Sequence, residues 1–422
     1  MQSPLENNPS NPFLKKSFRQ WYSATTLLAI STSTTIAVTL LLVDITKNTA
    51  IAGMLSGLIL FIQLCIGPIG GGLADVTDRR TLLRRALMTA LAANLTTVIS
   101  LLLFFTYEEL HGGWLSFLVV FSLIVSGAAA GIADPSIDAS ARSLITPAEF
   151  PRAMSAEQAR SSTLHIVGSP ASGAMYSTFP ALPFILRIVC DAGFLLTLQR
   201  IKRGLGPTGT EALDSKLKIL LKSLSGYKES FAFIQSKEAL RRIQVAAPLI
   251  NLMVFSGTSW AVLNMSHSGA GGLISGITVS GFAIGALLGS SITPFLTDRF
   301  TPGILAIAGL SWMTIIFALL FIYGGNPWAL FVLAVLGMAP SPALNGGLFG
   351  HVFAETPGDM QGRVMATFSL VAGLSAVVAP VFSGWAVQED LNVLLGFATC
   401  SVGIVGILIL ASSSAVRNMK KY

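Results

Sequence analysis

The chain has 422 residues, 52% of them hydrophobic and 11% charged, with a mean hydropathy of +0.70. A soluble protein carries roughly 25% charged residues, so a water-soluble globule is excluded. The net charge of +7 does not point to nucleic acid, because Lys and Arg beside apolar spans mark the cytoplasmic side of a membrane protein. Cys65, Cys190 and Cys400 each fall inside an apolar run, which is neither a disulfide framework nor a metal-ligand spacing. No metal and no cofactor are expected.

In chain order, apolar runs of spanning length broken by Gly, Pro or charge predict helices near 21–43, 50–72, 86–106, 114–134, 155–178, 181–199, 243–266, 272–296, 304–323, 327–349, 363–386 and 391–414. The first run follows a polar segment with Lys15, Lys16 and Arg19 and has no small-residue cleavage site, so it is read as a span rather than a signal peptide. Twelve spans with an inner N-terminus place Arg79, Arg80, Arg84, Arg85, Arg142, Arg152, Arg299 and Arg363 inside, and leave only Lys47 among the outer basic residues. Both termini are therefore expected in the cytoplasm of a bacterial inner membrane. The second span is expected to leave the membrane at Gly71-Gly72 and to be followed by a charged loop.

The expected fold class is an all-α membrane protein with two six-helix halves. Its parts are a cytoplasmic segment 1–20, a first half 21–199, a cytoplasmic connection 200–242, a second half 243–414 and a tail 415–422. Within the connection Leu217, Leu220, Leu221, Leu224, Tyr227, Phe231 and Ile234 recur at helical spacing, with Lys216, Lys218, Lys222 and Lys228 elsewhere on the turn. That pattern predicts an amphipathic helix over 214–237 lying on the inner membrane surface.

Five stretches carry a family resemblance. Gly71-x-Leu73-Ala74-Asp75 followed by Arg79-Arg80 resembles the loop signature between the second and third helices of the major facilitator superfamily. Its Asp78-Arg79-Arg80 is similar to the drug/proton antiporter-3 branch, which holds macrolide efflux and enterobactin export proteins. Asp134-Pro135-Ser136 with Arg142, Gly168-Ser169-Pro170-Ala171-Ser172-Gly173, Asp191-Ala192 and Gly362-Arg363-Val364 extend the likeness. Thr297-Asp298-Arg299 after the eighth span echoes the first loop, as expected of related halves. The resemblance implies a cytoplasmic gate made by Gly71, Asp75, Arg79, Arg80 and Asp134, with Arg79 meeting the acid at the end of the fourth helix.

No GxxxxGK[ST] loop or catalytic pattern is present, so the chain is read as a non-enzyme that draws on an ion gradient. Proton coupling needs a titratable side chain inside a span. Asp191 with Arg187 one turn away is the first candidate pair and Glu157 with Arg160 a second, each also readable as a structural pair; His165 is a further candidate, read first as a hydrogen-bonded packing residue. For a solute path the polar residues at depth are Ser31, Thr35, Gln63, Thr258, Trp260, Asn264 and Asn345, for which interhelical hydrogen bonding is the competing reading. Together these predict a monomeric, lipid-embedded transporter that exports a small amphiphilic drug or siderophore in exchange for protons. A lysophospholipid flippase-like transporter and a non-transporting sensor or scaffold are the alternatives.

Overall fold

The computed structural model describes residues 11–106, 113–146, 149–201, 205–206, 227–358 and 360–419, and these are helical with short connections. No strand is present among them. The helices are α1 (Lys16–Ser33), α2 (Thr35–Thr46), α3 (Thr49–Val76), α4 (Arg79–Thr106), α5 (Gly113–Leu144), α6 (Phe150–Thr178) and α7 (Leu182–Arg200). They continue with α8 (Glu238–His267), α9 (Gly271–Arg299), α10 (Pro302–Tyr323), α11 (Pro327–Met338), α12 (Ser341–Glu355), α13 (Gln361–Gln388), α14 (Asn392–Ala411) and the short α15 (Ser414–Arg417). Among the described residues, 11 helical segments are long and apolar enough to cross a membrane, counting α1 with α2 and α11 with α12 as one each. The twelfth long helix, α6, carries Arg152, Glu157, Arg160 and His165 and falls below that hydropathy. Large apolar side chains face outward, Phe117 at 66%, Phe397 at 69% and Leu408 at 62% exposure, as a lipid-facing surface requires.

Two spans are broken, and the sequence supplies the cause of each. In the run Ser31-Thr32-Ser33-Thr34-Thr35 three successive hydroxyls turn back on the helix: Thr32 Oγ1 donates to the Ala29 carbonyl at 3.1 Å, Ser33 Oγ to that of Ile30 at 2.8 Å and Thr34 Oγ1 to that of Ser31 at 2.7 Å. Such local bonds compete with the helical ladder, and α1 ends there, with Thr34 at φ −83° and ψ 17°. The tenth span stops at Met338 and restarts at Ser341, because Pro340 has no N–H to give the preceding turn.

Helix ends differ from the hydropathy reading. α3 continues through Gly71 and Gly72 to Val76, so the charged loop is only Thr77-Asp78. Asp78 caps α4, its Oδ2 accepting from the Thr81 amide at 3.0 Å and the Thr81 hydroxyl at 2.6 Å. Burial would raise the Asp78 pKa, but the Thr81 hydroxyl and the Thr81 and Arg80 amides outweigh it and hold it below the usual value. α5 likewise runs past 134 to Leu144, which puts Asp134 inside the helix. A helix can extend beyond its apolar stretch once its polar end reaches the membrane interface, and hydropathy registers only the apolar stretch. Of the predicted 214–237 helix, residues 214–226 lie outside the described residues, and 227–236 are helical.

The chain divides into two compact units. The first comprises Met1–Thr34, Cys65–Gly168 and Ala181–Leu221, with a core of Phe18, Trp21, Leu83, Leu87, Phe194 and Leu198. The second comprises Thr35–Leu64, Ser169–Pro180 and Lys222–Tyr422. It therefore takes in α2, the first part of α3 and the last part of α6. In this unit helices meet backbone to backbone at glycines: a Cβ on Gly53 would lie 2.2 Å from the Pro380 carbonyl oxygen, and one on Gly173 would lie 1.9 Å from that of Gly272. The amide and hydroxyl of Thr49 both donate to Gln388 Oε1, at 2.9 and 3.2 Å, and the Tyr176 hydroxyl donates to Asp44 at 2.6 Å.

Candidate functional site

Polar chemistry in the first unit gathers around α1. Asp191, on α7 and only 3% exposed, accepts from Ser31 Oγ at 2.9 Å and from Asn94 Nδ2 at 3.0 Å. Arg187, one turn earlier, turns elsewhere: its Nε donates to Thr34 Oγ1 at 2.6 Å and its guanidinium lies 5.9 Å from the centroid of the Phe184 ring. Among the described residues Arg187 and Asp191 form no direct ion pair. They are joined through the break in span one, since the Thr34 hydroxyl donates to the Ser31 carbonyl and the Ser31 hydroxyl to Asp191. Asn94 was not among the sequence candidates. An amide in the middle of the third span is itself the signal that it faces protein.

A second cluster lies where α1, α5 and α6 meet. Arg160 pairs with both oxygens of Glu157 and donates to the Tyr22 carbonyl at 3.1 Å, Thr25 Oγ1 at 2.8 Å and Thr26 Oγ1 at 3.0 Å. Its guanidinium sits 4.6 Å from the Tyr22 ring centroid, and the Tyr22 hydroxyl donates to the Ala156 carbonyl at 2.9 Å. These groups border a cavity of about 190 Å³ whose lining also includes Trp21, Asp138 and Arg142. His165 is exposed on α6.

The charged groups at the α3–α4 junction do something other than expected. Arg79 Nε donates to the Ala74 carbonyl at 2.8 Å, and its Nη1 to the carbonyls of Ala139 and Leu205, each at 3.1 Å. Asp75 lies 3.8 Å from Nη2. Arg79 is thus directed at main-chain carbonyls and Asp75 rather than at Asp134. Arg80 donates to the Ile201 carbonyl, and the Ser143 hydroxyl reaches Leu205 at 3.2 Å. The two arginines therefore hold the chain just after α7, where Gly206 takes φ +148° against the Arg79 side chain. Gly71 is half-buried beside Pro135. Close by in sequence, Glu149 precedes α6, is 1% exposed and meets Lys15 Nζ at 2.5 Å. The Lys15 ammonium, the Thr146 amide and the Thr146 hydroxyl hold its pKa down to about 2.

The other candidates fall in the second unit. Trp260 is 1% exposed, its ring 5.0 Å from that of Phe321 and its Nε1 donating to Asn392 Oδ1 at 2.7 Å. It is a core residue and not an open wall. Thr258 satisfies its hydroxyl on the Val254 carbonyl at 2.9 Å, and Asn264 reaches the Gly324 carbonyl at 3.4 Å. Gln63 is half-buried, while Thr35 and Asn345 are exposed. Ser31 belongs to the first unit, where its hydroxyl is taken up by Asp191. Among the described residues no group of His, Cys, Asp or Glu is placed to hold a metal.

The sequence profile of the Major Facilitator Superfamily matches residues 22–380. The chain belongs to this superfamily. Solved structures agree at the level of fold. A bacterial homologue of the iron transporter ferroportin, in an inward-facing state, has a TM-score of 0.71 at 14% identity over 97% of this chain and 99% of that one. A D-xylose-proton symporter has a TM-score of 0.68 at 15% identity over 96% and 99%, and the nucleoside transporter NupG has 0.68 at 12% over 94% and 99%. No curated protein sequence matches the chain significantly. As a member of the major facilitator superfamily the protein is an integral membrane secondary transporter with twelve spanning helices in two six-helix halves.

Proposed function

We propose that this superfamily member exports a small amphiphilic organic molecule in exchange for protons across a bacterial inner membrane, as a monomer with both termini in the cytoplasm. Drugs and siderophores are the solutes implied by the likeness of Gly71 to Arg80 to the drug/proton antiporter-3 branch. The observation that carries proton coupling is the setting of Asp191: a carboxylate 3% exposed, held by the neutral donors Ser31 and Asn94. A carboxylate without a direct counter-ion in such a site gains or loses a proton at modest cost when its hydration changes. Protonation would remove the charge that holds the Ser31 hydroxyl, beside the break between α1 and α2. In this reading Asp75, Arg79, Arg80 and Asp134 form the cytoplasmic gate, with Arg79 and Arg80 anchoring the start of the connection between the halves.

The test uses purified protein in vesicles with an imposed pH gradient and a panel of antibiotics and siderophores. Concentrative solute movement driven by the gradient, with proton counterflow, is the expected result. Solute movement insensitive to the gradient would overturn the coupling, and movement only with the proton flow would overturn the direction.

A further inference from the structure

The cavity between α1, α5 and α6 is bordered by two acid–base pairs in different states. Glu157 and Arg160 close on each other, and Arg160 is fixed to three oxygens of α1. Asp138 and Arg142 lie one turn apart on α5, a spacing at which an acid and a base ordinarily pair. Both are exposed and both line the cavity, yet neither side chain makes an ion pair or hydrogen bond among the described residues. The remaining wall is mostly apolar, with Ile137, Ile145 and Met154, and also includes Tyr22 and Thr25.

We propose that this cavity binds a small zwitterion with an apolar body, of the α-amino-acid type. Its ammonium pairs with Asp138, its carboxylate with Arg142, and its side chain lies against Ile145 and Met154. The proposal rests on the reading of the chain as a transporter of a small organic solute, and puts an amino acid in place of the drug or siderophore of that reading. Two acids and two bases leave the lining without net charge. A ligand bearing one charge alone would leave either Asp138 or Arg142 desolvated without a partner, which is costly. The cavity volume is about 190 Å³. That is less than the ~300–1,000 Å³ of pockets for drug-sized ligands, so the occupant is smaller than a macrolide or siderophore.

The test is binding of radiolabelled L-leucine to the purified full-length protein in detergent. Competitors are unlabelled leucine, isoamylamine, which keeps only the ammonium, and 4-methylpentanoate, which keeps only the carboxylate. Leucine should compete at least about tenfold better than either single-charge analogue, because each lacks one charge-assisted contact. Asp138→Asn and Arg142→Gln should each weaken leucine binding by about tenfold or more while eluting as folded protein. Absence of leucine binding to folded wild type, equal competition by a single-charge analogue, or unchanged affinity in both folded variants would each overturn the proposal. The analogue comparison needs no variant, so it decides the matter even if a substitution impairs folding. No gradient is used, so failure here leaves proton-coupled export standing, and loss of proton coupling in vesicles with leucine binding intact would overturn only that reading.

Discussion

Asp191 has two hydrogen-bond donors and no direct counter-ion among the described residues, so removing its charge and removing a donor should have different consequences. Asp191→Asn keeps size and hydrogen bonding, and should abolish gradient-driven transport in vesicles while solute exchange persists; unchanged concentrative transport would move the proton role to Glu157 or His165. Ser31→Ala strands a buried carboxylate oxygen and should lower stability by about 1–3 kcal/mol, read as a lower thermal midpoint. Trp260→Phe should cost stability through the lost bond to Asn392 and leave solute affinity unchanged, since the indole is enclosed by the core. Glu149 gives a pH dependence with a defined sign. Its folded pKa of about 2 lies below the 4.5 of an unperturbed glutamate, so its contribution is present above about pH 4.5 and fades as pH falls toward 2. Glu149→Gln should flatten the acid side of a stability-versus-pH profile between those limits. The identities of these groups were visible in the sequence, but their partners were not. Arg187 and Asp191 are neighbours at helical spacing on α7, yet each is claimed by a residue of another helix, Thr34, Ser31 or Asn94. Spacing along one helix carries no information about which neighbouring helix supplies the better partner.

At the scale of the helix, close crossings set the tolerance to substitution. Gly173→Ala would place its Cβ 1.9 Å from the Gly272 carbonyl oxygen, so backbone must shift, and overpacking of this kind costs typically about 1–3 kcal/mol. Gly346 on α12 has nothing within 4 Å of the same construction, and Gly346→Ala should be neutral or slightly stabilising. Thermal unfolding of the two purified variants checks the contrast; equal effects would mean that the α6–α9 approach is not tight. The existence and order of the helices were legible because each apolar run is long enough to span. Their ends were not, since Asp75, Asp78 and Arg79 read as loop by hydropathy, whereas Asp75 and Arg79 are helical and Asp78 caps α4. The break in α1 was legible in principle, in five adjacent hydroxyl residues. It was read instead as a polar lining, because composition does not say whether a hydroxyl serves a solute or its own helix.

For the whole molecule, the distribution of Lys and Arg predicts orientation. Thr208→Cys should be labelled by a membrane-impermeant maleimide only after the inner face is made accessible; labelling of intact cells would reverse the topology. Superfamily membership was legible from the Gly71–Arg80 stretch through its resemblance to the superfamily's loop signature, and the match over residues 22–380 bears it out. The division into compact units was not, since it cuts through α3 and α6 rather than following the connection at 200–242. The contacts of Gly53 with Pro380 and of Gly173 with Gly272 bear on the order of synthesis. The segments 35–64 and 169–180 leave the ribosome well before their packing partners in 222–422. At about 5–20 residues per second, Pro380 follows Gly53 by roughly 16–65 s and Gly272 follows Gly173 by roughly 5–20 s. During those intervals those glycine faces have only lipid or the insertion machinery to cover them, which makes the nascent first half the stage most dependent on a chaperone in the membrane.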